Sequence, residues 1–198
     1  MEELNRALFL LLNAPQAPDR VPLAIATFFA EYAIWLIPSG FVAVWLRAGD
    51  GARKGLLQAS AAVLVALLVN QLIGLVWQHP RPFMIGLGHS HLAHVADSSF
   101  PSDHLTLLWA VAFSLLAQPR LRLAGLALAA LGLPVAWARI YLGVHFPLDM
   151  LGAMAVAGLA AWLCGHCATG LIEQIYPITL VAYRRLFAPL IRRGWACA

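Results

Sequence analysis

The chain has 198 residues, of which 62% are hydrophobic and 11% charged, with a formal net charge of +4 and a mean hydropathy of +0.78. Soluble domains carry about 25% charged and about 45–50% apolar residues, so this composition excludes an ordinary soluble domain and places the chain in a membrane. A helix that crosses a bilayer needs about 17–25 predominantly apolar residues.

Taken in chain order, Glu2 and Glu3 stand where a secretory signal would carry positive charge, and no small-residue cleavage site follows. Leu4 to Asn13 reads as a short interfacial helix closed by a turn at Pro15 and Pro18, giving an N-terminal segment over residues 1–18. The first span is expected over Val21–Leu46 and carries Glu31 ten residues in. A carboxylate there costs roughly 2.5–3.5 kcal/mol on insertion, so it must face the bundle interior or water. It either bonds a neighbouring span at Asn70 or Gln71, or borders a pocket and positions Arg81 or a substrate.

The second span, Gly55–Trp77, runs straight into His79-Pro-Arg-Pro-Phe83. A fixed cation between two prolines where the apolar run stops calls for an anion. Leu105–Gln118 with its flanks, Leu121–Ile140 and Pro147–Cys164 give three further spans. Cys164-Gly-His-Cys167 has C-x-x-C spacing without the second pair of a closed zinc site, so it reads as helix-end packing. Glu173, Gln174 and Pro177 interrupt the tail, and "AYRRLFAPLIRR" reads as a basic amphipathic segment on the inner leaflet, so residues 168–198 form an interfacial tail. The expected fold is an all-α integral membrane protein, a single domain over residues 1–198. It bundles about five transmembrane helices, or six if the tail also crosses, with an outward-facing active site.

Arg47, Arg53, Lys54, Arg120, Arg122, Arg184, Arg185, Arg192 and Arg193 fall on one side of such a bundle. By the positive-inside rule that side is cytoplasmic. The other side then carries two loops, His79–His104 and Ala138–Asp149. Each loop delivers the chain to the start of an inward-running helix: Ser102 suits the N-cap of the third span, Pro147 the first position of the fifth, and Asp149 its first turn. Two helix N-termini with unpaired N–H groups favour an anion, above all phosphate. Arg81 and Arg139 add two permanent cations suited to phosphate oxygens. Asp149, four residues beyond His145, can bond one ring nitrogen and leave the other as a nucleophile. His104, with no acid at comparable spacing, is placed to donate a proton to a leaving oxygen. His89, His91 and His94 in "GHSHLAH" read as solvated loop histidines, so no metal site is assigned.

These residues resemble the signature of the type 2 phosphatidic acid phosphatase superfamily, which shares its core with vanadium haloperoxidases. That signature is a Lys, six residues and Arg-Pro; then Pro-Ser-Gly-His; then Ser-Arg, five residues, His, three residues and Asp. Here the parts are Arg81-Pro82, Pro101-Ser102-Asp103-His104, and Ala138-Arg139 with His145 and Asp149 at the family spacing, within Asn70 to Gly152. The resemblance implies that His145 forms a phosphohistidine, Asp149 orients it, His104 is the general acid, and Arg81, Ser102 and Arg139 bind the phosphoryl group. Gly74 stands where the signature has Lys, Asp103 where it has Gly, and Ala138 where it has Ser. Losing Lys and gaining Asp103 makes the pocket less positive, and both Asp103 and Glu31 are candidates for its border. "NQLIGLVWQHPRPFMIGLG" together with "DSSFPSDH" is similar to one branch, the bacitracin-resistance type undecaprenyl-diphosphate phosphatases.

The implied function is removal of the terminal phosphate of undecaprenyl diphosphate, recycling a cell-wall lipid carrier. The implied substrate is a polyprenyl diphosphate lipid among membrane lipids, with no cofactor, no nucleic acid and no feature that names a protein partner. Phosphotransfer from a lipid diphosphate to another lipid, hydrolysis of other lipid phosphates such as phosphatidylglycerophosphate, and headgroup binding without turnover are the competing functions.

Overall fold

The computed structural model describes residues 1–197, and among them there is no β-strand. The chain opens with α1 (Glu2–Leu12), then crosses once through a composite helix: α2 (Arg20–Thr27), a π-helical turn (Phe28–Tyr32), a 3₁₀ turn (Ala33–Trp35) and α3 (Leu36–Arg47). There follow α4 (Asp50–Val76), a 3₁₀ turn (Pro82–Ile85), α5 (Asp103–Leu116), α6 (Arg122–Tyr141), α7 (Pro147–Cys167), α8 (Thr169–Leu186) and α9 (Ala188–Arg192). Four of these elements are long and apolar enough to cross a membrane: Arg20–Arg47, α4, α6 and α7.

α5 departs from the five-span expectation. Its 14 residues reach only about 21 Å at about 1.5 Å per residue, short of a hydrocarbon core about 30 Å thick. It can be short because α4, α6 and α7 pack around it. Leu105, Leu108, Trp109, Val111 and Leu115 are all buried among them, so α5 has little lipid to meet. Asn70, six residues before the end of α4, bonds Asp103 at the start of α5. That register sets the top of α5 about 9 Å below the top of α4.

The helices pack by small residues, as expected where lipid competes with side chains for apolar contact. α4 buries Ala52, Ala59, Ala62 and Ala66 and turns Leu64, Leu68, Leu72 and Leu75 outward. α7 likewise buries Ala153, Ala157 and Ala160. Where α5 and α6 meet, Gly125 is required: a Cβ there would fall 2.6 Å from the Leu116 backbone nitrogen.

The end opposite the two long loops gathers the cations. Arg53 is fully buried, donating from Nε to the Trp45 carbonyl (3.0 Å) and from Nη2 to the Cys197 carbonyl (2.8 Å), with its guanidinium 4.7 Å from the Tyr183 ring centre. Lys54 pairs with Glu173 of α8 at 2.6 Å, and the Tyr176 hydroxyl donates to Asp50 at 2.6 Å. α8 therefore continues as a helix through Glu173, Gln174 and Pro177, which the sequence reading took as an interruption. Cys164 and Cys167 are free thiols, the first buried and the second exposed.

Candidate active site

The sequence from Ala138 to Asp149 folds as helix end, loop and helix start. Gly143 turns the chain at φ 81°, a left-handed conformation that glycine adopts without strain. Pro147 occupies the first position of α7, where its missing N–H costs nothing. Asp149 then reaches back two ways. Its Oδ2 accepts the Phe146 N–H at 2.8 Å and the His145 Nδ1–H at 3.1 Å. The Ser99 hydroxyl donates to the same oxygen.

The far side of the imidazole faces the cations. Arg81 Nη1 lies 3.0 Å and Arg139 Nη2 3.3 Å from His145 Nε2. Guanidinium groups only donate, so Nε2 carries a lone pair and Nδ1 the proton. Burial first, and then Arg139 and Arg81, hold the His145 pKa well below its ordinary value. The ring is thus neutral and aimed, the state a nucleophile needs. Arg81 is itself fixed by Asp97 (Nε to Oδ1, 2.8 Å), the Val144 carbonyl (2.9 Å) and the Ser98 carbonyl (3.2 Å).

Arg81, Arg139, His145 and Asp149 are brought together by direct hydrogen bonds and all are buried. Ser102 takes the N-cap position of α5, but its hydroxyl makes no capping bond; the buried Oγ has no partner, as is also true of Arg139 Nε and Asp149 Oδ1. Burial first, and then Arg139, hold the pKa of His104, in the first turn of α5, down to about 4 in the free protein. Glu31 sits in the π-helical turn of the first span, a kind of irregularity that recurs at functional sites. Of the two readings of Glu31, the bond to Asn70 or Gln71 is not made. Asn70 Nδ2 donates instead to Asp103 Oδ1 (2.8 Å) and Thr106 Oγ1 (3.0 Å), and Gln71 Nε2 to Asp103 Oδ2 (3.4 Å). Asp103, placed as a pocket residue by sequence, is exposed and anchored on α4, while both it and Glu31 lie within electrostatic range of Arg139.

Beside the site, Asn70, Gly74, Gln78, His79, Ser98 and Asp103 line a cleft of about 620 Å³. Gly74 borders open space there: an added Cβ would come only within ordinary contact distance of Ser98, at 3.5 Å.

Two site residues escaped the sequence reading. Ser99 is one, since one serine among three in "DSSFPS" carries no spacing signal. His94 is the other. Read as solvated, it is half-buried, with its Nε2 3.0 Å from Arg139 Nη2 and its ring 6.1 Å from that of His145. Burial and the neighbouring Arg81 hold its pKa below the ordinary value, so it stays a neutral acceptor for Arg139. His89 and His91 belong elsewhere: the His89 N–H donates to Asn13 Oδ1 and His91 Nε2–H to the Pro15 carbonyl.

The arrangement can hold a tetrahedral anion between two guanidinium groups, in line with a neutral imidazole whose developing charge a buried carboxylate would stabilise. Residues 55–173 match the family model described as the PAP2 superfamily. The chain is 38% identical over 202 residues to YbjG of Escherichia coli (strain K12), whose undecaprenyl-diphosphatase name is provisional, covering 98% of each protein. It is 35% identical over 160 residues to the undecaprenyl-diphosphatase BcrC of Bacillus subtilis (strain 168), covering 81% of this chain and 82% of that one. Its fold is similar to the crystal structure of Aquifex aeolicus LpxE, with a TM-score of 0.67 at 20% identity over 81% of this chain and 94% of that one.

Proposed function

Because the chain belongs to the PAP2 superfamily, we propose that it is a multi-pass membrane phosphatase that hydrolyses undecaprenyl diphosphate to undecaprenyl phosphate and inorganic phosphate. The single observation that carries the chemistry is His145 Nε2 facing both Arg81 and Arg139 while Nδ1 is held by Asp149. The names of the two relatives supply the substrate.

His145 Nε2 attacks the terminal phosphorus and the bond to the bridging oxygen breaks. Arg81 and Arg139 hold the phosphoryl oxygens, joined by the unpartnered Ser102 hydroxyl. The negative charge of the bound diphosphate favours the protonated form of His104, which gives its proton to the departing bridging oxygen. Asp149 Oδ2, held by Ser99 and the Phe146 N–H, stabilises the phosphorylated imidazolium through Nδ1–H. In the second half, His104 takes a proton from water as that water attacks phosphorus; the P–N bond breaks, and phosphate leaves with His145 neutral again. Glu31 and Asp103, both within electrostatic range of Arg139, temper the positive potential at the border of the pocket. The basic end formed by Arg47, Arg53, Lys54 and Arg120 supports a cytoplasmic position for that end, and so an outward-facing site in the bacterial cytoplasmic membrane.

The test is phosphate release from undecaprenyl diphosphate by the purified protein in detergent with a chelator present, beside phosphatidic acid and phosphatidylglycerophosphate. Turnover with undecaprenyl diphosphate at least about tenfold above the others is expected; preference for another lipid would overturn the substrate. His104→Ala gives a second expectation. A lipid monophosphate leaving group ionises near pH 6 as other phosphomonoesters do, and needs less protonation than an alkoxide. The variant should therefore lose less activity on the diphosphate than on a lipid monophosphate, and equal losses would remove His104 from its role as proton donor.

A further inference from the structure

Arg139, His145 and Asp149 lie on one hairpin, from the last turn of α6 to the first turn of α7. Transfer to Nε2 requires that the imidazole and Arg139 keep their relative position while phosphorus moves between them. A misplacement of about 1 Å in such an arrangement costs on the order of 10²-fold in rate. Within the hairpin the Val144 N–H donates to the Arg139 carbonyl at 3.2 Å, and contacts from residues 1–15 reach both of its ends.

At the α6 end, Asn13 Nδ2 donates to the Tyr141 carbonyl at 3.0 Å and the Ala14 N–H donates to the same oxygen at 2.9 Å. At the α7 end, Asn5 Oδ1 accepts the Leu148 N–H at 3.0 Å. That amide belongs to the first helical turn, which has no acceptor of its own. Between the two, the buried Phe9 ring stands 5.3 Å from the buried ring of Phe146, the residue next to His145. The same segment grips the first loop, through Asn13 with the His89 backbone N–H (2.7 Å) and carbonyl (2.9 Å). Asn5 is only 2% exposed.

We propose that residues 1–15 form a clamp that fixes the spacing of Arg139 and His145, with Asn5 and Asn13 as its positioning residues. The inference rests on the phosphohistidine reading above, yet the clamp lies outside residues 55–173, the stretch that matches the family model. Neither asparagine makes a contact with His145, Arg81 or Arg139; each acts through the hairpin backbone.

The test uses full-length protein. Asn5→Ala is expected to lower kcat on undecaprenyl diphosphate about 10- to 100-fold with KM changed less than about threefold. Asn5→Asp keeps an oxygen for the Leu148 N–H and should return kcat to within about threefold of the parent. Asn5→Leu, similar in size but without an acceptor, should not. If α1 merely packed against the bundle, Leu would serve at least as well as Asp in this buried position, and that result would overturn the clamp. Should the Asn5 variants fail to fold, Asn13→Ala carries the test at the other end, where the Ala14 N–H still holds Tyr141; an unchanged kcat there also overturns it. The same variants are assayed on p-nitrophenyl phosphate. A parent that cleaves this ester but not the lipid defeats the substrate while the clamp still stands or falls on its own kcat ratios, and a parent that cleaves neither defeats both.

Discussion

His145→Ala is expected to lower kcat for phosphate release from undecaprenyl diphosphate by at least about 10⁴-fold, the scale seen when an enzyme loses its covalent nucleophile. No neighbour can take over. Ser99 is committed to Asp149, His94 accepts from Arg139, and Ser102 has no base at hydrogen-bond distance. Binding should survive, because Arg81 keeps its three anchors without the ring. The companion measurement is trapping: the parent, quenched in alkali, should retain phosphate on the protein as an acid-labile phosphoramidate, and the variant should retain none. Residual turnover within about 10²-fold of the parent would show that water attacks the lipid directly and that His145 is not the nucleophile.

Asp149→Asn is the second large effect, expected at about 10³- to 10⁴-fold in kcat with little change in KM, by the logic of the carboxylate in hydrolase triads. Asp149 Oδ2 is the common acceptor for His145 Nδ1, Ser99 and the Phe146 N–H. An amide can offer its NH₂ to Nδ1 in place of an oxygen. The imidazole would then carry its proton on Nε2, pointing a hydrogen at phosphorus where a lone pair is needed. Ser99→Ala leaves the carboxylate in place and should cost far less. A loss below about tenfold for Asp149→Asn would mean that the two guanidinium groups alone set the tautomer.

Much of this site was legible in the sequence because its logic is local. Pro147 and Asp149 belong to one helix start, and the His145–Asp149 spacing spans a single turn, so chemistry and backbone geometry coincide. The spans were legible for the same reason: apolar length is a property of a contiguous run. What the sequence hid is what depends on tertiary position. α5 carries an apolar run like its neighbours, and only its enclosure by α4, α6 and α7 explains why 14 residues suffice. Asn70 and Gln71 looked like partners for Glu31 until the register of α4 against α5 gave them to Asp103. His94 lay in a loop whose polarity suggested water, and nothing in a linear reading marks Asn5 of α1 as a buried residue.

The depth of α5 has a consequence for how a long lipid reaches the chemistry. Leu75 and Val76 at the top of α4 remain 77% and 90% exposed, so the greasy outer wall of the bundle continues to the last turn of that helix. The start of α5, where Ser102 and His104 wait, lies about 9 Å lower. The floor of the reaction chamber is therefore sunk beneath the rim of its own apolar wall. A polyprenyl chain need not be hoisted out of its leaflet to be cut: it can travel sideways in the bilayer while its charged end dips into the cleft beside α5.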